Sequence, residues 1–240
     1  PEHLQNFQSI HPKDQGQWVA PCGFGSDELL REAIAATYGM IEMIDNGIGK
    51  ILGSLKDTQQ LDNTIIVFTS DHGDMMGDHG LFLKGFMHYR GTLQVPLMVL
   101  APGIEAQENH ELASSIDIGP TLLELCELPF YEGLQGETLV PILLGDEQSV
   151  RDYVLIEDDI ATVTAQLTPI PAKTRTLITK THRYTRNSKL EEQLFNLDED
   201  PDELTDLSTE QQSARSAIIE QMMDALIQAD DAARGAPTTA

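Results

Sequence analysis

Residues 69–84 concentrate side chains that can hold a cation or meet an anion: Asp71, His72, Asp74, Asp78, His79 and Lys84. They follow directly on the apolar run Thr64-Ile65-Ile66-Val67-Phe68. In open α/β sheets, ligands bind just beyond the carboxyl ends of strands. Inside a strand, Asp71 and His72 would point to opposite faces. Past the strand end that constraint lapses, and Gly73 gives the backbone freedom to turn both inward. One carboxylate and one imidazole make half of a divalent-metal site, combining hard oxygen with borderline nitrogen. Asp74, Asp78, His79 and His88 compete for the remaining places. The plain alternative is a solvated acidic loop. Lys84 is the only Lys or Arg between Lys56 and Arg90. Beside a metal loop, a lone ammonium suits an anionic oxygen; otherwise it is a surface lysine.

The elements that must position these groups read as an α/β protein. Ser26-Asp27-Glu28 opens a helix with a capping residue and acids in its first turn. Leu30, Ile34, Ile41, Ile44, Ile48, Ile51 and Leu55 make one apolar stripe, with Glu42 and Asp45 on a solvated face. The runs 64–68 and 96–100 are continuously apolar, which suggests strands covered on both faces, as in a parallel sheet. Ile118 to Leu125 reads as a short helix with proline near its start. Helix, strand, loop, strand and helix make the rhythm of a doubly wound sheet.

After residue 150 the pattern changes to short strands at 153–156, 176–179, 182–185 and 192–197, separated by turn residues. Ser208-Thr209-Glu210-Gln211 is a capping box before an amphipathic helix carrying Ile218, Met222 and Leu226. The expected organisation is therefore an α/β domain over 1–150, a small antiparallel β subdomain with a terminal helix over 151–231, and a frayed, disordered tail at 232–240.

Composition narrows the partners. The apolar fraction is 40%, and 39 acids against 15 Lys plus Arg leave a net charge of −24. Such a field repels nucleic acid and anionic membranes, so an anion site must be built locally by a metal or a few placed cations. No apolar run approaches the ~20 residues of a membrane span. Cys22 and Cys126 lack any metal-finger spacing and read as two buried free thiols. So few cysteines fit a reducing cytoplasm slightly better than a periplasm. The opening Pro1-Glu2-His3 reads as a start in mid-protein.

The ordered set Asn63–Gly73, Gly77-Asp78-His79-Gly80, Lys84 and Val95-Pro96-Leu97 closely resembles the sulfatase family of the alkaline-phosphatase superfamily. The likeness extends to Met43-Ile44-Asp45-Asn46, Ser115–Leu123, Leu134-Gln135-Gly136 and Leu194–Pro201, so it spans roughly residues 26–207. It implies that the chain is the C-terminal part of an alkaline-phosphatase-like doubly wound mixed sheet, followed by the small antiparallel subdomain. By position, Asp71 and His72 match the family's metal-binding pair, in the Asp-His form of choline-sulfatase-like and iduronate-sulfatase-like members. Lys84 matches the catalytic lysine that contacts sulfate. His79 falls on a motif position where structural hydrogen bonding is expected. His88 and Arg90 lie where the family varies, and His88 is read as a substrate contact.

The family's formylglycine motif, Cys/Ser-x-Pro-x-Arg, is absent, because no Cys or Ser stands two residues before any proline. Its paired aspartates and its leaving-group histidine have no match here either. The resemblance therefore implies a sulfatase whose metal-activated formylglycine nucleophile lies outside this chain, in an N-terminal half that is the chain's first partner. A sulfate ester is the implied substrate. Calcium is the implied metal, with manganese or zinc also compatible, and a homo-oligomer remains open. Two other readings stand beside it: a phosphonate or phosphate ester hydrolase of the same superfamily, and an inert fragment or binding module.

Overall fold

The computed structural model describes residues 20–21, 27–84, 87–159 and 172–234, with backbone alone at 20–21 and 231–234. Cys22 and the end of the tail lie outside these residues. The chain divides into two compact units, 1–103 and 104–240. No helix among the described residues is long and apolar enough to cross a membrane.

In the first unit, β1 (Ala20–Pro21) precedes α1 (Asp27–Asp57). Asp27 and Glu28 in its first turn and Lys56 in its last complement the helix dipole. The stripe read from periodicity is present but only partly covered. Leu30, Ile34, Ile48 and Leu55 are half-buried, Ile41, Ile44 and Ile51 are exposed, and no residue of α1 is fully buried. Glu42 and Asp45 lie in solvent as expected.

The strand β2 (Ile66–Thr69) pairs with β4 (Leu97–Leu100), Ile66 opposite Leu100 and Thr69 opposite Leu97. The pairing is antiparallel, which corrects the expectation of parallel strands covered on both faces. Parallel neighbours need a crossover element. Among the described residues the connection here holds only the short 3-10 turn Asp78–Gly80, β3 (Leu81–Phe82), which pairs with β1, and the four-residue α2 (Arg90–Leu93). Met98 and Leu100 accordingly stand exposed on β4.

The second unit opens with a turn at Ser115–Asp117 and α3 (Ile118–Leu125), whose bounds are those expected. The Asp117 carboxylate is wholly buried. It accepts from the backbone N–H of Ser114 at 2.7 Å, from that of Glu137 at 2.8 Å and from the Arg151 guanidinium. Gly136 packs so closely on this turn that a Cβ would meet the Ile116 carbonyl at 2.1 Å. Thr121 Oγ1 donates to the Asp117 carbonyl at 2.6 Å and accepts from Leu139 N–H at 2.9 Å. Two separate pieces of the family-like pattern, around 117 and 136, are thus one structural joint. Cys126 is an exposed thiol rather than a buried one. It stands just past the last residue of α3, off the helix's packed side.

After α4 (Val140–Leu144), the strands β5 (Tyr153–Asp159), β6 (Lys173–Thr179), β7 (His182–Asn187) and β8 (Glu192–Asn196) form one antiparallel sheet in chain order. The helix α5 (Gln212–Arg234) lays Ile218, Met222 and Ala225 on Leu177, Tyr184 and Leu194. It runs three residues into the stretch expected to fray from Ala232. The Asn196-to-Pro201 piece is also structural: Asn196 Oδ1 accepts from Asp198 N–H, and Asp200 accepts from Leu204 and Thr205 N–H.

Candidate active-site loop

The strand β2 ends at Thr69, and the next residues close a tight polar turn. Asp71 Oδ1 accepts the backbone N–H of His72 at 3.0 Å, and Ser70 Oγ donates to the His72 carbonyl at 2.9 Å. The His72 ring then folds back, with Nδ1 2.8 Å from the Gly73 carbonyl and Nε2 3.4 Å from Asp71 Oδ2. Lys84 Nζ contacts the same Nε2. Asp71, His72 and Lys84, picked out from types and spacing, are therefore brought together, with the Lys84 ammonium bridging 12 residues back to the turn.

The electrostatics follow from these contacts. The Asp71 carboxyl is held below the ordinary carboxylate range, first by the His72 N–H it accepts and then electrostatically by the adjacent imidazole, with Lys84 adding in the same direction. The Asp71 side chain is 83% exposed and the His72 side chain 38%, so the pair faces outward, open to a ligand. An ionised carboxylate oxygen and an imidazole nitrogen side by side are groups able to meet positive charge.

The loop that carries them is folded, not slack. Gly73 N–H donates to the Thr92 carbonyl at 2.8 Å, Met75 N–H to Leu83 at 3.0 Å and Gly77 N–H to Leu81 at 2.8 Å. Beneath it Met75, Leu81, Met87 and Tyr89 are buried. Gly77, at φ 106°, sits against Leu30 of α1. Met76, His79 and Leu83 all adopt positive φ between 44° and 66°. Left-handed non-glycine residues are strained, and they cluster where function over-determines the backbone.

Two of the competing groups, Asp74 and His79, have other contacts. Asp74 Oδ1 accepts Met76 N–H at 2.9 Å and so caps the turn. The His79 ring stacks on Tyr89 with centroids 4.0 Å apart. His88 lies in the buried stretch before α2, 7% exposed. Arg90 Nε donates to Gln94 Oε1 along α2. Sequence reading missed Thr92 and Gly91, whose backbone carries the loop. An Arg-Gly-Thr triplet leaves no periodic trace of that role.

The donor set tests whether a divalent metal fits. Asp71 and His72 present an anionic oxygen and a nitrogen that converge, which suits two places of its coordination sphere. Among the described residues no group of three or more His, Cys, Asp and Glu assembles, so these residues make a partial site.

The sulfatase family profile matches residues 3–128, and that of the N-sulphoglucosamine sulphohydrolase C-terminal region matches residues 77–232. Arylsulfatase K of Gallus gallus is 35% identical over 84% of this chain and 39% of its own length. The choline-sulfatase of Rhizobium meliloti is 33% identical over 76% of this chain and 34% of its own. This chain thus spans about two fifths of the curated relatives it matches. The solved phosphonate monoester hydrolase of Agrobacterium radiobacter superposes with a TM-score of 0.75 at 30% identity, covering 85% of this chain and 43% of that one. A 2-O GAG sulfatase gives 0.76 at 25%, covering 90% and 47%. With a loop that sets Asp71, His72 and Lys84 together and a family profile matched over more than half its residues, the chain belongs to the sulfatase family.

Proposed function

We propose that this chain carries the Asp71–His72–Lys84 wall of a sulfate-ester hydrolase active site. The supporting observation is the meeting of carboxylate, imidazole and ammonium on one strained loop beyond a strand end. Asp71 and His72 would hold a divalent cation, calcium by family likeness, with manganese or zinc compatible with the nitrogen ligand. Bound there, a divalent cation supplies Lewis-acid polarisation of an oxygen. Lys84 offers its ammonium to the sulfate oxygens, where preorganised charge stabilises the transition state most. His72 Nε2 offers a single lone pair, so in serving a cation His72 would leave the Lys84 ammonium free to meet substrate.

The nucleophile, a formylglycine by family likeness, and the remaining ligands belong to polypeptide outside this chain. The same polypeptide is proposed to cover the exposed apolar face of α1. Without a nucleophile there is no reaction path, so residues 1–240 by themselves should be inactive. In the full-length protein, Lys84→Ala should lower kcat/KM for an aryl sulfate by about 30- to 900-fold, equivalent to ~2–4 kcal/mol. A wild-type rate overturns the assignment.

A second reading keeps the site and changes the ester. The likeness to a phosphonate monoester hydrolase at 30% identity favours it. Turnover of an aryl sulfate and an aryl phosphodiester, measured side by side, separates the two.

A further inference from the structure

His72 can serve a cation only if the nitrogen beside Asp71 carries a lone pair, and the structure contains a device that enforces this. The Gly73 carbonyl is purely an acceptor, so the ring nitrogen 2.8 Å from it, Nδ1, must be the N–H. The Lys84 ammonium is purely a donor, so the Nε2 it contacts must accept. Both contacts select one tautomer. Gly73, which carries this carbonyl, is itself held in place through its own N–H and Cα. Its N–H is tied to the Thr92 carbonyl at 2.8 Å. Its Cα lies so close to α2 that a Cβ would stand 2.0 Å from the Gly91 carbonyl oxygen and 3.4 Å from Thr92 Cα. Thr92 is itself buried, and its hydroxyl reaches the carbonyls of Met87 at 2.5 Å and Tyr89 at 2.9 Å.

We infer that Gly73 and Thr92 are positioning residues for His72: Gly73, clamped on the backbone of α2, presents its carbonyl so as to hold the imidazole as its Nδ1–H tautomer, leaving the Nε2 lone pair beside the Asp71 carboxylate. Gly73 serves here through its missing Cβ, since any side chain would break the approach to Gly91. Metal-binding histidines depend on such a partner at the second nitrogen to set ring orientation and tautomer. The clamp is read from the loop's own contacts, while its purpose rests on the cation reading above.

The test reads the two separately. Ring 15N signals of His72 in the whole, metal-free protein at neutral pH report the tautomer, assigned by the set lost in His72→Gln. Wild type should show the Nδ1–H pattern. Gly73→Ala should shift the tautomer ratio about fivefold toward Nε2–H, the scale of one neutral hydrogen bond. Should Gly73→Ala fail to fold, Thr92→Val and Thr92→Ser carry the test: the first should shift the ratio and the second restore it. Gly91→Ala is the control, because its Cβ would meet nothing closer than Asp78 Oδ2 at 3.3 Å. An Nε2–H pattern in wild type, or an unchanged pattern in both Gly73→Ala and Thr92→Val, overturns the clamp. Titration of the same proteins with Ca2+ reads the purpose. A shifted tautomer with weaker Ca2+ binding is the expected pair. A shifted tautomer with unchanged Ca2+ binding leaves the clamp standing and overturns the cation reading.

Discussion

The two long described helices of this chain, α1 and α5, are both amphipathic and meet opposite fates. Over 23 residues α5 buries Ile218, Met222 and Ala225 against a four-stranded sheet. Over 31 residues α1 buries none, and Ile41, Ile44 and Ile51 stand more than half exposed. Near them in sequence, the β2–β4 pair leaves Met98 and Leu100 in solvent. Amphipathic stripes form because burial rewards them, by ~25 cal/mol per Å² of apolar surface. The second unit completes its own core; the first, which carries the candidate site, leaves apolar faces uncovered among the described residues.

That contrast can be broken by mutation. The largest effect is expected at the buried pair of Arg183 and Glu203, each about 1% exposed. The Arg183 guanidinium contacts the Glu203 carboxylate, donates to Thr185 Oγ1 at 2.7 Å and lies 4.5 Å above the Phe195 ring. Glu203→Leu leaves a buried charge without its counter-ion and should cost ~3–5 kcal/mol in urea unfolding. Leu177→Ala, at a wholly buried position under α5, should follow at ~2–5 kcal/mol through the cavity it opens.

A smaller, pH-dependent effect is expected at Tyr184, whose phenol is pushed up by burial first and by the charge of Glu192 next. The native state therefore holds that proton to higher pH than the unfolded chain does. Its stabilising contribution is intact below the ordinary phenol value of about 10 and is lost as pH rises through the folded value. Urea unfolding at about pH 9 and about pH 11 should show a drop that Tyr184→Phe reduces. Smallest is Ile44→Ala on α1, expected to change the stability of this chain by less than ~0.5 kcal/mol, as at other exposed sites. A loss as large as that of Leu177→Ala would mean that α1 is packed, and the contrast would fail.

Much of this was legible in the residues themselves. The helix from Asp27, the helix from Ile118 to Leu125 and the four short strands all appear where periodicity places them. So does the meeting of Asp71, His72 and Lys84, because a strand end, a glycine and a lone lysine are local signals. The family follows from the same motifs taken in order, and the profiles agree.

What only the tertiary structure decided lies in pairs far apart in the chain. The antiparallel register of β2 on β4 is one, since continuous apolarity reports burial without direction. The Asp117–Arg151 joint and the Arg183–Glu203 pair are others, 34 and 20 residues apart. The Gly73 peptide resting on Gly91 and Thr92 is a fourth. Local patterns arise from the repeat of a helix or a strand, which every residue in the element shares. A contact between two distant segments leaves no such repeat, so it becomes visible only when the chain has brought them together.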